Sequence, residues 1–125
     1  MNLSQNKRIK FGKVDKVILF GGNEISIEIC KFLKKKKINS IVFTTKSQSL
    51  EQIYHNKTKL SFLKCLKLLK INHKIVKSLN FKILKKHVSQ NTIGLSNACR
   101  WIFQKSEIKL FNGKLFNIHF SNLPN

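Results

Sequence analysis

The chain has 125 residues, a hydrophobic content of 42% and a formal net charge of +20 at pH 7. This length suits one domain with its own core, and the apolar content excludes an intrinsically disordered segment. The charge favours an anionic partner such as nucleic acid. However, only Arg8 and Arg100 are arginines, and the excess of Lys, Asn, Ile and Phe is typical of AT-rich coding DNA. Both explanations of the charge stay open.

The cysteines and the apolar runs bear on compartment and cofactors. Cys30, Cys65 and Cys99 are odd in number and widely spaced, which disfavours a disulfide framework, and no Cys or His spacing indicates zinc. No apolar run approaches the roughly 18 residues of a membrane span, and no signal peptide is visible. We therefore expect a cytoplasmic protein with free thiols, no metal and no membrane partner.

The first part of the chain predicts a strand, a helix and a second strand. "KVILFGG" (16–22) is a short apolar strand that ends in a glycine pair. "NEISIEICKFLKKKK" (23–37) has the 3.6-residue period of a helix. One face of this helix should carry Ile25, Ile29, Phe32 and Leu33. "SIVFTT" (40–45) is a β-branched strand, so the three elements form a βαβ unit with parallel strands.

The rest of the chain repeats this alternation less regularly. We interpret residues 47–58 as a polar connection and residues 59–70 as an amphipathic helix. Further strands are expected at 73–78, 92–98 and 114–120, and further helices at 81–89 and 104–111. The pattern predicts an α/β fold in a single domain over 1–125: a Rossmann-like, open, mostly parallel sheet with helices on both faces.

Open parallel sheets bind ligands outside the carboxyl ends of their strands. Three turns should meet there: the Gly21-Gly22-Asn23 turn, "SNACRW" after the fourth strand and "HFSNLP" after the fifth. The glycine pair lacks the third glycine of a dinucleotide-binding fingerprint, and no acidic residue for a ribose ends the second strand. We therefore do not expect a bound dinucleotide. His55, His73 and His87 fall in polar stretches and should be surface residues.

Residues 94–124, "GLSNACRWIFQKSEIKLFNGKLFNIHFSNLP", carry a more specific pattern. They resemble the formyltransferase domain shared by methionyl-tRNA formyltransferases, glycinamide ribonucleotide transformylases and amino-sugar N-formyltransferases. The signature of that family is a strand with Asn-x-His, followed by x-Ser-x-Leu-Pro. The matching residues here are Asn117, His119, Ser121, Leu123 and Pro124. The opening βαβ unit is similar to that of the family, with much lower specificity.

The resemblance implies transfer of a formyl group from 10-formyltetrahydrofolate, as co-substrate, to a primary amine of an amino-sugar nucleotide or of methionyl-tRNA. His119 would stabilise the oxyanion of the tetrahedral intermediate and move protons. Asn117 would offer a second donor from the same strand face. The resemblance further implies that the formyl donor is bound by Arg100, Trp101, Ile102 and Phe103, with Ser121, Leu123 and Pro124 shaping the channel.

Simpler structural roles exist for the same side chains. His119 could be a hydrogen-bonded histidine at a strand end, and Ser121 could stabilise a turn. Trp101, Ile102 and Phe103 would be core residues in most proteins, although a pocket wall is itself part of a core.

The third catalytic residue of the family, an aspartate beyond the histidine, has no counterpart. The only aspartate is Asp15, before the first strand, and Glu107 belongs to the helix that precedes the Asn-x-His strand. We therefore expect a sheet that is incomplete at its C-terminal end, in an amino-terminal part of a formyltransferase that is inactive alone. Such a part would self-associate or pair with a missing C-terminal portion. The alternative is a non-enzymatic basic module on a degenerate formyltransferase scaffold, which binds tRNA or another polyanion.

Overall fold

The structure is a computed structural model that describes residues 12–118. Its strands are β1 (Lys16–Gly21), β2 (Asn39–Thr44), β3 (Gln52–His55), β4 (Thr58–Ser61), β5 (His73–Ile75), β6 (Thr92–Asn97) and β7 (Leu115–Ile118). Its helices are α1 (Glu24–Lys35), α2 (Lys46–Ser49), α3 (Phe62–Leu68), α4 (Phe81–His87) and α5 (Lys105–Lys109). Across this part of the chain, no helix combines the length and apolarity needed to cross a membrane.

Five of the strands form one sheet in the order β5-β2-β1-β6-β7. Every neighbouring pair in it is parallel, while β3 and β4 form a separate antiparallel hairpin. The predicted α/β fold with an open parallel sheet is therefore confirmed.

Helices cover both faces of the sheet, as predicted, because side chains alternate along each strand. On one face, Val17 and Leu19 of β1 pack with α1 and α3. On the other face, Ile18 and Phe20 pack with Leu84 of α4 and with the end of α5. The four side chains from Val17 to Phe20 are each at most 4% exposed, so β1 is the buried centre of the fold.

Helix α1 begins where its sequence indicates, but it turns a different face to the sheet. Asn23 caps it, since Asn23 Oδ1 accepts a hydrogen bond from the Ile25 backbone N–H at 3.0 Å. The predicted apolar face was wrong in part, because Phe32 is 56% exposed. The residues that α1 buries are Ser26, Ile27, Cys30 and Leu33. Ser26 and Cys30 have small side chains that fit between the helix and the sheet. The helical period had instead predicted that the larger apolar residues face the sheet.

The segment expected to be a polar connection contains helix α2 and the β3–β4 hairpin. Asn56 and Lys57 at its turn both have positive φ, of 49° and 64°, as a two-residue hairpin turn requires. Ile53 is buried while Tyr54 is exposed, so the strand is half-buried. The helix expected from residue 59 therefore starts later, at Phe62, where Ser61 Oγ accepts a hydrogen bond from Lys64 N at 3.1 Å.

Gly21 is a position where only glycine fits, and its replacement by alanine tests the packing of β1 against β6. Its φ is +94°, and a Cβ there would overlap the Asn97 carbonyl oxygen and lie 2.8 Å from the Ala98 carbonyl carbon. We expect Gly21→Ala to lower the free energy of unfolding by at least about 3 kcal/mol, through backbone strain and overlap together. Urea denaturation of the purified chain measures this loss.

Gly113→Ala is the matched control. Gly113 also has a positive φ, of +81°, but nothing lies within 4 Å of a Cβ at that position. Strain alone should then cost about 1–2 kcal/mol. Equal losses in the two variants would contradict the close approach of β6 to Gly21.

Candidate functional site

The strand order changes direction between β1 and β6, since the chain runs from β1 to β2 on one side and from β6 to β7 on the other. In open α/β sheets such a switch point is the usual place for a ligand. Here the crevice is filled by the protein itself. Gly22 has a φ of +135°, and a Cβ on it would overlap the buried ring of Phe62. The glycine pair therefore accommodates an aromatic ring and the end of β6.

A buried glutamine closes the same crevice. Gln48 of α2 is 1% exposed, and its Nε2 donates hydrogen bonds to Gly22 O at 3.0 Å and to Ala98 O at 2.8 Å. Its Oε1 is buried without a partner in the described part of the chain. No sequence pattern had singled out Gln48 as part of the site. The available signal was Thr45, a typical helix-capping residue, whose Oγ1 accepts a hydrogen bond from Gln48 N at 3.1 Å.

Asn97, at the end of β6, joins this turn to helix α1. Its Nδ2 donates to Asn23 Oδ1 at 2.7 Å and to Ser26 Oγ at 2.9 Å, while its carbonyl accepts from Gly22 N at 2.8 Å. Hydrogen bonds therefore join the start of α1, the end of β1 and the end of β6 in one corner.

An open cavity of about 400 Å³ lies beside this corner, on the β6–β7 side of the sheet. It is lined by Ser96, Cys99, Trp101, Phe103, Ile108, Leu115, Phe116 and Asn117. Asn117 of β7 is the register partner of Ser96 of β6, and its side chain is exposed. The structure therefore brings three predicted site residues, Asn117, Trp101 and Phe103, to one cavity.

Other predicted site residues lie elsewhere. The Arg100 guanidinium forms an ion pair with the Glu51 carboxylate, and the Ile102 side chain is 88% exposed. Neither side chain lines the cavity. The remaining predictions, His119, Ser121, Leu123 and Pro124, lie outside the described residues.

Trp101 and Phe103 belong both to the cavity wall and to the core. The Phe103 ring meets the buried Phe20 ring edge-on, with 5.0 Å between centroids and an interplanar angle of 75°. Trp101 packs against the same cluster, and its Nε1 is buried without a partner within residues 12–118. Both aromatic side chains therefore pack in the core and also line the cavity.

Cys99 shapes the turn that carries these aromatic side chains. The Trp101 backbone N–H donates to Cys99 Sγ at 3.4 Å, and the thiol donates to Trp101 O at 3.7 Å. Burial raises the pKa of the Cys99 thiol. The thiol is therefore protonated at neutral pH and is not an activated nucleophile.

None of the carboxylates in residues 12–118 lines the cavity. Glu107 of α5 is buried, and its Oε1 accepts a hydrogen bond from the Gln104 backbone N–H at 2.7 Å, in a capping box at the start of the helix. In the same part of the chain, no three His, Cys, Asp or Glu side chains are grouped as a metal site would need.

No protein-family model matches the sequence, and a comparison with curated proteins finds no match.

Replacing Gln48 by glutamate tests the closing of the crevice. The carboxylate would face two carbonyl oxygens in a buried place, so its pKa in the folded protein should exceed the unfolded value of about 4.3. Folding then favours the protonated form. We expect Gln48→Glu to lose free energy of unfolding as the pH rises above about 4.3. Urea unfolding between pH 4 and 8 measures this, with Gln52→Glu on the exposed hairpin as control. If the free energy of unfolding of Gln48→Glu depended on pH no more than that of Gln52→Glu, the Gln48 amide would not be needed to close the crevice.

Alkylation rates test the burial of the three thiols. Burial raises the pKa of Cys30 to about 11 and also raises that of Cys65. Both side chains are at most 2% exposed, whereas Cys99 is half-buried. We expect iodoacetamide at pH 8 to label Cys99 first, and the other two at least about tenfold more slowly. Peptide mass spectrometry over time gives the order, and similar rates for all three would contradict it.

Proposed function

We propose that this domain binds 10-formyltetrahydrofolate in the β6–β7 cavity and acts in formyl transfer to a primary amine. The observation that carries the proposal is the meeting of Asn117, Trp101 and Phe103 at one cavity. The resemblance to the formyltransferase domain assigns these residues to the site, and they come from two separate segments of the chain.

The wall of the cavity suits a flat heteroaromatic donor. Trp101 and Phe103 supply apolar faces, and Ser96 and Asn117 supply polar groups beside them. The backbone N–H and C=O groups of Ile102 and Phe103 have no hydrogen-bond partner among the described residues. A pteridine edge carries donors and acceptors of the kind that peptide N–H and C=O groups bind. The exposed side chain of Ile102 is compatible with this role, because the role belongs to its backbone.

The chemistry assigned to Asn117 is the stabilisation of charge. The lone pair of the amine attacks the formyl carbon, and the formyl oxygen becomes an oxyanion to which the Asn117 amide donates. The bond between the formyl carbon and N10 of the folate then breaks, N10 gains a proton and the amine loses one. In this proposal His119 provides the second donor and the proton transfer. No carboxylate of residues 12–118 is assigned to either step.

The fluorescence of Trp101, the only tryptophan, provides the test. We expect the stable analogue 10-formyl-5,8-dideazafolate to change this emission in a saturable way and to slow the alkylation of Cys99, since both side chains line the cavity. Free N-acetyltryptophanamide corrects for light absorbed by the analogue. The absence of both effects at millimolar analogue would contradict the proposal.

Asn117→Leu separates binding from chemistry, because leucine keeps the size of the side chain and removes the amide. If Asn117 acts mainly in the transition state, binding of the analogue should change little, while amine formylation should fall by about 10²- to 10³-fold. Gln90→Ala, an exposed amide away from the cavity, is the control. Formylation by the unmodified chain is measured first, and equal, measurable rates in the two variants would remove Asn117 from the mechanism.

A further inference from the structure

A second cavity lies at the opposite end of the sheet, at the amino ends of β1 and β2 and beside β5. It has a volume of about 290 Å³, and its polar lining includes Lys16, Asn39, Asn72, Lys74 and His87. Lys16 and Asn39 are register partners at the starts of β1 and β2, while His87 is the last residue of α4. We propose that this cavity binds a phosphate group.

The charge around the cavity is uncompensated. Lys16 Nζ donates a hydrogen bond to His87 O at 2.8 Å, which holds the ammonium group at the cavity wall. No residue that lines the cavity is acidic, and neither Lys16 nor Lys74 has an ion-pair partner among residues 12–118. Asp15 is the nearest carboxylate in sequence, but it pairs with Lys13 and accepts a hydrogen bond from Asn91. An anion in this cavity would therefore relieve repulsion between the Lys16 and Lys74 ammonium groups.

His87 adds a titratable group to this arrangement. Its polar sequence context predicted a surface histidine, but His87 is half-buried, with its ring edge-on to Phe43 of β2 at 5.1 Å between centroids. The charged groups that face it are Lys16 of β1, Lys74 of β5 and Lys86 of its own helix. Burial and these three lysines lower the pKa of His87. A bound anion would oppose the lysines and raise that pKa.

The donor set favours a phosphate group over a carboxylate. Two ammonium groups can balance a dianion, and Asn39 and Asn72, which also line the cavity, carry side-chain amides able to donate neutral N–H groups. Donors spread around a concave site match the tetrahedral arrangement of phosphate oxygens, whereas a carboxylate presents two oxygens in one plane. The phosphate could belong to a small phosphate compound or to a nucleic-acid backbone.

This site is independent of the proposed formyl transfer. Among residues 12–118 it shares none with the β6–β7 cavity, and it lies at the amino ends of the strands rather than at their carboxyl ends.

The test is a nuclear magnetic resonance titration of the ¹⁵N-labelled full chain with inorganic phosphate at pH 7. We expect saturable shifts centred on Lys16, Lys74 and His87, and a higher pKa of His87 at saturation. Lys74→Ala should weaken binding about fivefold, since it removes one charge at a partly exposed site. Asn72→Asp should weaken it further, because it places a carboxylate against the phosphate. Both side chains are exposed, so neither change should prevent folding.

Lys64→Ala is the matched control, because Lys64 is exposed on α3 and lines a different groove. It should change the affinity less than about twofold. A second titration with a ten-nucleotide oligouridylate distinguishes the two sources. Shifts at the same residues, weakened by Lys74→Ala, would identify a nucleic-acid backbone, and a response to inorganic phosphate alone would identify a small phosphate compound. The proposal is overturned if neither ligand gives saturable shifts at the cavity, or if Lys64→Ala weakens binding as much as Lys74→Ala.

Discussion

The close contact between the glycine pair of β1 and the end of β6 is the constraint on which the rest of the structure depends. Because Gly21 has no side chain, the backbone at Asn97 and Ala98 can lie against it. Asn97 then reaches the start of α1, and Gln48 bridges the two strand ends. Ala98 takes a left-handed φ of +53° at this point, where the chain leaves β6 and enters the turn that forms the wall of the β6–β7 cavity.

This closed corner leaves the switch point between β1 and β6 without room for a ligand. The switch point between β1 and β6 would be the usual site in such a sheet, but Phe62 and Gln48 occupy it. Open space is found beside it, at the carboxyl edge between β6 and β7, and at the amino edge near β1, β2 and β5. The first space is largely aromatic and apolar, and the second is cationic. Their different chemistry favours different ligands, an apolar ring system in the first space and an anion in the second.

The parallel sheet was predictable because its strands, such as β1 and β2, are short apolar runs. The segments between them have the 3.6-residue hydrophobic period of a helix. The β3–β4 hairpin was not predictable, since its turn at Asn56 and Lys57 contains no glycine and its strands have only four residues each. In the site, two sequence features predicted that Asn117 lies near Trp101. The carboxyl ends of parallel strands meet at one end of the sheet, and the resemblance to the formyltransferase signature assigned both residues to one site. The role of Gln48 could not be predicted, because it depends on carbonyl groups 26 and 50 residues away in sequence.

The packing of Phe62 on Gly22 also limits how this sequence can change over evolutionary time. A side chain at position 22 would overlap the ring, so Gly22 can be replaced only if Phe62 also changes. A descendant that kept the glycine but replaced Phe62 by a small residue would lose core packing and open the crevice between β1 and β6. Such a change would remove one of the two side chains, Phe62 and Gln48, that fill the switch point of this fold.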